Sequence, residues 1–281
     1  MGEIAAVIPN RNGAGFVGTC VEAARRARID QVVVVDDGSS DDSAAEAAEA
    51  GATVVAARGR GFAEAVAQGL ASTETPYVLV LNSDCFLDED AVGALAAALD
   101  HDERLALVGA GMRTPDGGDS KSHGPLISLG DALRALVTGR SGRSSPRAGE
   151  GLQRCDFVPL ACALARRSAW DSVGGIDPGY FFYFEDYDLC WRLAAAGWRI
   201  AVCWDAGAIH VGGASSSARE SRPWVRQYYV SLSRYLRKRY RARWLAFAAV
   251  WVPYALVQTA RTPSRASAYL GSVPAVLFPP R

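Results

Sequence analysis

Short apolar runs that alternate with helical segments are the feature that most constrains the fold of this chain. Residues 31–35 are continuously apolar and β-branched, which is typical of a parallel strand covered on both faces. Similar runs occur at 5–8, 52–56, 77–81 and 105–109, and a segment of helical character follows every run except the last. Repeated strand–helix units predict an α/β protein with a mostly parallel, doubly wound sheet.

Polar side chains follow three of these runs, at the point where each predicted strand ends. They are Pro9, Asn10 and Arg11 after the first run, Asp36 and Asp37 after the second, and Asn82, Ser83 and Asp84 after the fourth. In open α/β sheets, ligands bind at the carboxyl ends of the strands. We therefore expect the three groups to converge on one edge of the sheet.

The chemistry of these strand ends points to a nucleotide and a metal ion. Asn82 and Asp84 offer oxygen atoms that suit Mg²⁺ or Mn²⁺ bound to a diphosphate. Asp36 and Asp37 present carboxylates beside a tight turn, where they could bind a base or a ribose. Ordinary turn and capping chemistry explains the same residues, and a lone His210 could be a structural histidine. Both interpretations stay open at this level.

An acidic cluster directly follows the aromatic run at 180–184. Glu185, Asp186 and Asp188 lie within four residues, at the start of a helix predicted over 186–196. Acids at a helix N-terminus are stabilised by the helix dipole, which is the simpler explanation. Three of them exceed what capping requires, and one with a raised pKa would serve as a general base.

Charge is distributed unevenly along the 281 residues, although the formal net charge is zero. Residues 219–281 contain 12 Lys or Arg and the single acid Glu220. The acidic remainder argues against nucleic-acid binding, whereas a basic tail beside apolar segments suits an anionic membrane surface. Residues 244–260 carry no charge but are shorter than the roughly 20 residues of a spanning helix. We favour an interfacial segment there over a packed helix or a span.

Cysteine usage and the first residues predict a cytoplasmic protein. The six cysteines show neither CxxC spacing nor the density of a disulfide scaffold. Residues 2–9 lack the basic start and the long apolar run of a signal peptide. Residues 113–151 are rich in Gly, Ser and Arg around one apolar island, which predicts a loop region with one short helix. Beyond this region, strands are predicted over residues 155–165 and 198–202.

Taken together, eight segments resemble the family 2 inverting glycosyltransferases of GT-A fold, and most closely a rhamnosyltransferase-like branch. They span about residues 4–215 in the family's order, and their combination is more specific than any one of them. The segments are 6–12, 34–41, 61–63, 81–84, 156–158, 174–177 and 183–189, together with His210.

The resemblance implies a site for a nucleoside-diphosphate sugar and a divalent cation, Mg²⁺ or Mn²⁺. Asp84 would hold the cation with His210 as a further ligand, and Asp36 or Asp37 would contact the base and ribose. The residues expected around the donor are Pro9, Asn10, Arg11, Asp36, Asp37, Gly61, Asn82, Ser83 and Asp84.

The resemblance also implies a catalytic pair. Asp186 would deprotonate the acceptor hydroxyl, which attacks the anomeric carbon while the nucleoside diphosphate leaves from the opposite side. Glu185 would tune Asp186 or contact the acceptor, and Asp188 would be a first-turn helix acid.

Three positions depart from the family pattern. Asn82 stands where the first Asp of a DxD motif is usual, as in the Asn-x-Asp version of the rhamnosyltransferase-like branch. Leu160 stands where Gly is usual near the acceptor. Arg58 and Arg60 replace the commoner Asn before Gly61 and could meet donor phosphate.

The predicted function is metal-dependent inverting transfer of rhamnose, or a similar hexose, to a hydroxyl of a lipid-linked or cell-envelope glycan. Residues 1–223 would form the glycosyltransferase domain and 224–281 a helical, basic tail that places the enzyme on the inner face of the plasma membrane. Two alternatives stay open. A sugar-phosphate nucleotidyltransferase would need a better phosphate loop than residues 9–13. A non-catalytic nucleotide-sugar-binding scaffold would not need Asp84, Asp186 and His210 together.

Overall fold

The computed structural model of the chain describes residues 2–118, 120, 123–138, 149–212 and 222–278. Within these residues, nine strands form one sheet: β1 (Ile4–Asn10), β2 (Gln31–Asp36), β3 (Thr53–Ala56), β4 (Tyr77–Leu81), β5 (Cys85–Leu87), β6 (Leu105–Arg113), β7 (Leu152–Arg154), β8 (Cys162–Arg166) and β9 (Arg199–His210). The helices are α1 (Val17–Arg26), α2 (Ser43–Glu49), α3 (Phe62–Ala71), α4 (Ala91–His101), α5 (Leu129–Thr138), α6 (Arg167–Ser172), α7 (Glu185–Ala195), α8 (Arg222–Tyr240), α9 (Leu245–Arg261) and α10 (Ala266–Leu277).

The strand order is β3-β2-β1-β4-β8-β6-β9-β5, with β7 paired to the edge of β9. Strands β3, β2, β1 and β4 are parallel to one another, and β6 is parallel to β9. Strand β8 lies between β4 and β6 and is antiparallel to both. The predicted α/β fold class is confirmed, and its parallel half is the part built from the repeated strand–helix units.

Alternate residues of the central strands belong to two separate hydrophobic cores, because successive side chains of a strand point to opposite faces. Ile4, Ala6 and Ile8 pack with helices α1, α2 and α4 on one face. Val7 lies on the other face, in a core that begins with α3 and continues through α7 to the C-terminal helices. Burial on both faces explains why β1 and β4 read as continuous apolar runs.

Strand β9 is longer than the sequence predicts. The predicted strand covers residues 198–202, whereas β9 continues to His210 after an irregularity opposite Ala110 and Gly111 of β6. Conversely, the strand predicted over 155–165 is reduced to β8. The short helix predicted within 113–151 is present as α5, and the part of that prediction at 139–148 lies outside the described residues.

Helices α8, α9 and α10 pack on one another and on helices α5 and α7, and so extend the core on one face of the sheet. Tyr235, Phe247 and Trp251 are fully buried in the same core as Val7 of β1. Helix α9 is thus packed on one face only, since Leu245 and Leu256 are each 56% exposed. Among the described residues, no helix combines the length and the apolar character that crossing a bilayer requires. A division of the chain at residue 223 remains a prediction.

Candidate functional site

The turn after β4 and the end of β9 bring the predicted metal residues together. Strand β5 pairs antiparallel with β9, which sets Cys85 opposite His210, and the Val211 amide donates to the Asp84 carbonyl at 3.1 Å. As a result, His210 Nε2 lies 3.3 Å from Asp84 Oδ1. The same nitrogen lies 3.3 Å from Asn82 Nδ2. Three side chains that the sequence only suggested as partners are therefore in contact.

The chemistry of this cluster fits a divalent cation. One imidazole nitrogen can donate to the Asp84 carboxylate or accept from the Asn82 amide, but it cannot do both. A cation held by His210 Nε2 and Asp84 would satisfy both groups, and adjacent ligands of an octahedral ion are about 3 Å apart. The described residues contain no group of three or more His, Cys, Asp or Glu that could hold a metal ion. Two protein ligands leave coordination positions for diphosphate oxygens and water.

A sharp turn places the acidic pair at the start of α7. Tyr183 and Phe184 both have left-handed backbone, with φ of 69° and 67°. Such residues cost about 1–3 kcal/mol each and persist where their surroundings hold them. Phe184 is held between aromatic rings of Tyr187, Tyr228 and Tyr235. This packing explains the aromatic run before the acids, because it fixes the direction in which α7 begins.

The acids and the metal cluster share one pocket of about 490 Å³. Glu185, Asp186, Asn82 and His210 all line it, with Asp84 buried behind His210. An apolar wall of the pocket comes from segments in which the sequence suggested no site. That wall includes Ile127, Ala132, Leu136, Tyr228, Tyr229 and Leu232. Leu160, one of the departures from the family pattern, also lines the pocket.

The two acids of the pair differ in environment. Glu185 is 5% exposed, and its Oε2 atom is buried with no hydrogen-bond partner. Burial, and secondarily the charge of Asp186, raises the pKa of Glu185 well above its ordinary value. Asp186 is only half-buried and accepts a hydrogen bond from the Tyr187 amide at 2.8 Å. The pair therefore combines a buried carboxyl group whose pKa is raised with a more accessible carboxyl group.

Replacement of Glu185 by Gln is expected to change how stability depends on pH. A carboxyl group whose pKa is raised on folding contributes fully below its ordinary pKa, and this contribution is lost as the pH rises through the raised value. The free energy of unfolding of the wild type, relative to Glu185→Gln, should therefore fall as the pH increases. Urea denaturation of both proteins over a pH series measures this, and a constant difference would contradict the assignment.

Asp188 has a different role from its neighbours. It is fully buried, pairs with Arg192 Nε at 2.7 Å and Lys238 Nζ at 2.6 Å, and accepts a hydrogen bond from Tyr180. Lys238 also contacts Asp177 at 2.9 Å. Asp188 lies in the first turn of α7 as predicted, but its contacts are those of a buried ion network that joins α7 to α8.

The predicted donor residues form a second cluster at the ends of β1 and β2. Asn10 Nδ2 donates to Ser43 Oγ at 2.9 Å and lies 3.4 Å from Asp36 Oδ1. The Asp36 carboxylate also accepts hydrogen bonds from Ser39. Asp37 differs from Asp36, because its Oδ1 is buried and has no partner among the described residues. Of the two aspartates considered for nucleotide contact, Asp37 is the one with an unpaired carboxylate oxygen.

Gly61 connects this donor cluster to the pocket. Its amide donates to Asp37 Oδ2 at 2.9 Å, and the next amide, of Phe62, donates to the Phe181 carbonyl at 2.8 Å. Gly61 has φ of +97°, and a Cβ atom there would lie 2.1 Å from the Phe181 oxygen. Only glycine fits this position. Arg11 lies at the edge of the cluster, half-exposed and 3.8 Å from Asp37.

The remaining predicted donor residues lie beside these two groups. Pro9 is buried in β1. Ser83 is buried in the turn between Asn82 and Asp84, facing Gly13. The three strand ends therefore converge on one edge of the sheet, as the alternating pattern predicts.

Comparison with known proteins decides the family. The sequence model of the family described as Glycosyl transferase family 2 matches residues 5–174, more than half of the chain. The chain belongs to this glycosyltransferase family. Its membership supports the glycosyltransferase prediction over the nucleotidyltransferase and scaffold alternatives.

Relatives of this glycosyltransferase include rhamnosyltransferases, as the sequence resemblance predicts. It is 30% identical over 178 residues to N-acetylglucosaminyl-diphospho-decaprenol L-rhamnosyltransferase of Mycobacterium tuberculosis, which covers 60% of this chain and 58% of the relative. It is 44% identical over 55 residues to rhamnosyltransferase WbbL of Escherichia coli, covering 20% of this chain and 21% of that protein. The chain therefore matches less than two thirds of the length of either relative.

The solved structures confirm the GT-A fold. The mannosyltransferase PcManGT from Pyrobaculum calidifontis, solved with GDP-Man and Mn²⁺, matches with a TM-score of 0.62 and 16% identity. The match covers 100% of this chain and 88% of that one. At this identity the similarity establishes the fold alone.

Proposed function

We propose that this glycosyltransferase transfers rhamnose, or a similar hexose, from a nucleoside-diphosphate donor to a hydroxyl of a lipid-linked or cell-envelope glycan, with inversion. The observation that carries the proposal is the shared pocket, in which Asp186 and Glu185 face the same space as Asn82 and His210. The name of the mycobacterial relative, an L-rhamnosyltransferase for a decaprenol-linked sugar, supports both the sugar and the class of acceptor.

Donor binding would use both clusters. Asp37 Oδ1, buried and without a partner, would accept a hydrogen bond from the base or the ribose. Asp84 and His210 would hold Mg²⁺ or Mn²⁺ beside the diphosphate. When bound, the cation would stabilise the negative charge that develops on the leaving diphosphate.

Chemistry would centre on Asp186. Its carboxylate would take the proton of the acceptor hydroxyl while that oxygen forms a bond to the anomeric carbon. The bond from this carbon to the diphosphate oxygen breaks on the opposite face, which inverts the configuration. Burial raises the pKa of the neighbouring Glu185, which favours its neutral form, and this form could donate a hydrogen bond to the acceptor.

A donor screen tests this proposal. Thymidine- and uridine-diphosphate sugars, each with and without Mn²⁺, would be assayed for thermal stabilisation of the protein and for transfer to an N-acetylglucosaminyl-diphospho-lipid acceptor. The anomeric configuration of the product, determined by NMR, should be opposite to that of the donor. Transfer with retention, or stabilisation by no nucleoside-diphosphate sugar, would contradict the proposal.

Removal of the metal carboxylate should abolish the effect of Mn²⁺. In the wild type, Mn²⁺ should increase the thermal stabilisation by the donor, because the cation links the protein to the diphosphate. In Asp84→Ala this increase should disappear, and transfer should fall by about 10²-fold or more. The control is Asp205→Ala, at an exposed carboxylate of β9, which should behave as the wild type. An undiminished Mn²⁺ effect in Asp84→Ala would place the cation elsewhere.

A further inference from the structure

Helix α9 exposes an apolar face to the surroundings. Its exposed side chains lie on one side of the helix, within an arc of roughly 120°, while Phe247, Trp251 and Ala255 are buried on the other side. Leu245 and Leu256 are the largest exposed members. The α9 outer face consists of Leu245, Ala246, Ala249, Pro253, Leu256, Val257 and Ala260.

Cations flank this face at both ends. Arg241 and Arg243 lie just before α9, Arg261 is its last residue, and all three are exposed. Residues 222–278 contain no Asp or Glu. Among the other basic residues of the C-terminal helices, Lys238 pairs with Asp177 and Asp188, and Arg239 donates to the Ile127 carbonyl, whereas Arg226 and Arg237 of α8 are exposed. Arg241, Arg243 and Arg261 therefore place positive charge at both ends of the α9 outer face.

An anionic lipid surface is the partner that this combination fits. A helix that lies in the bilayer interface presents an apolar face to the acyl chains and cations to the headgroups. At 17 residues, α9 is about 25 Å long, enough to lie along the surface and too short to span it. A contiguous apolar patch on a folded protein marks an interaction site, and the flanking arginines select negative charge.

The opposite side of α9 is connected to the catalytic pocket. Trp251 stacks on Tyr229 of α8 at a ring distance of 3.7 Å, and Tyr228 and Tyr229 line the pocket. Helix α8 therefore contacts both the pocket and the inner side of α9. A membrane bound to the outer side of α9 would therefore be separated from the apolar wall of the pocket only by α9 itself and the α8 residues that form this wall.

We infer that the α9 outer face, with Arg241, Arg243 and Arg261, binds an anionic bilayer and holds the pocket next to lipid-linked acceptors. The statement that the acceptor is lipid-linked rests on the proposed function, whereas membrane binding does not. The α9 outer face would be the contact, and Lys238 and Arg239 of α8, which are bound within the protein, would not take part.

Co-sedimentation of the full chain with vesicles tests this inference. The vesicles are phosphatidylcholine alone or phosphatidylcholine mixed with phosphatidylglycerol. The wild type should bind only the mixed vesicles, and less at high salt. Leu256→Glu should weaken binding about tenfold or more, because a charged side chain replaces an apolar one at the contact with the acyl chains. The double variant Arg241→Gln with Arg243→Gln should weaken it about 30-fold, or about fivefold for each arginine.

Leu152→Glu is the matched control. Leu152 lies on β7, away from α9, and at 45% exposure it resembles Leu256. This variant should bind vesicles as the wild type does, and thermal unfolding should show that every variant is folded. The inference is overturned if the wild type ignores anionic vesicles or if Leu256→Glu binds them unchanged. It is also overturned if sedimentation velocity shows a dimer that Leu256→Glu dissociates.

The donor screen separates failure of this inference from failure of the proposed function. Thermal stabilisation by a nucleoside-diphosphate sugar and Mn²⁺ requires no membrane, and Leu256→Glu should leave it unchanged. Vesicle binding without any donor response would retain the membrane contact and refute the proposed activity. A donor response without vesicle binding would support the proposed activity and refute the membrane contact.

Discussion

Asp186→Asn is expected to reduce transfer to the acceptor by about 10²–10⁴-fold, the usual contribution of a positioned general base. Asn has nearly the same shape as Asp, and its amide oxygen can still accept the hydrogen bond from the Tyr187 amide. It cannot take a proton from a hydroxyl. Thermal stabilisation by donor and Mn²⁺ should remain, because Asp84 and His210 are unchanged. Initial rates with a saturating donor, together with donor titrations, measure both effects.

Glu185→Gln is the matched control for this assignment. Glu185 lines the same pocket one residue earlier, but it is buried and its pKa is raised, whereas Asp186 is half-buried. Its amide variant should lose much less activity than Asp186→Asn. If Glu185→Gln were the inactive variant and Asp186→Asn were active, the base would be Glu185. If both retained activity, neither carboxylate would be the base.

The parallel half of the sheet could be predicted because burial on both faces leaves a clear pattern in sequence. Strands β1, β2 and β4 are continuous apolar runs, and the polar residues after them lie at one edge. Strand β5 has only three residues, and the second half of β9 contains Trp204, Asp205 and Gly207. These segments are strands because they pair with each other and with β6, which is a tertiary effect without a local signal.

The metal cluster depends on this unpredicted part of the sheet. His210 reaches Asp84 only because β9 continues past its irregularity and pairs with β5. Periodicity could not show this contact, and the family resemblance could only imply it. The apolar wall from α5 and α8 was also beyond sequence reasoning, because its residues are ordinary members of amphipathic helices.

The pairing of charged residues in the C-terminal helices also could not be predicted from the sequence. The sequence predicts Arg234, Lys238 and Arg239 as part of a basic surface, since most Lys and Arg side chains are exposed. In the structure, Arg234 and Lys238 contact Asp177, Lys238 also contacts Asp188, and Arg239 binds a backbone carbonyl. Partners 57 to 112 positions away, and Asp188 for Lys238, decide which cations are internal. Only the remaining arginines are available to bind a membrane.

Lys238→Met is expected to destabilise the protein by about 3 kcal/mol, the lower end of the cost of breaking a buried ion pair. Asp188 is fully buried and would lose its 2.6 Å partner, while Arg192 would still pair with it. The loss should also loosen the start of α7, so that kcat falls while thermal stabilisation by the donor persists. Urea denaturation and steady-state rates measure the two effects.

Arg243→Met is the control for Lys238→Met, because it removes an exposed cation from the turn that follows α8. It should change the free energy of unfolding by less than about 0.5 kcal/mol. Lys238→Arg tests geometry further: it keeps the charge, but a planar guanidinium does not reproduce the contacts of a compact ammonium between two carboxylates. Partial recovery of stability by Arg would assign the effect to charge. Equal urea midpoints for the wild type and Lys238→Met would show that the network does not hold α7 in place, and the orientation of Asp186 would then depend on the aromatic packing around Phe184 alone.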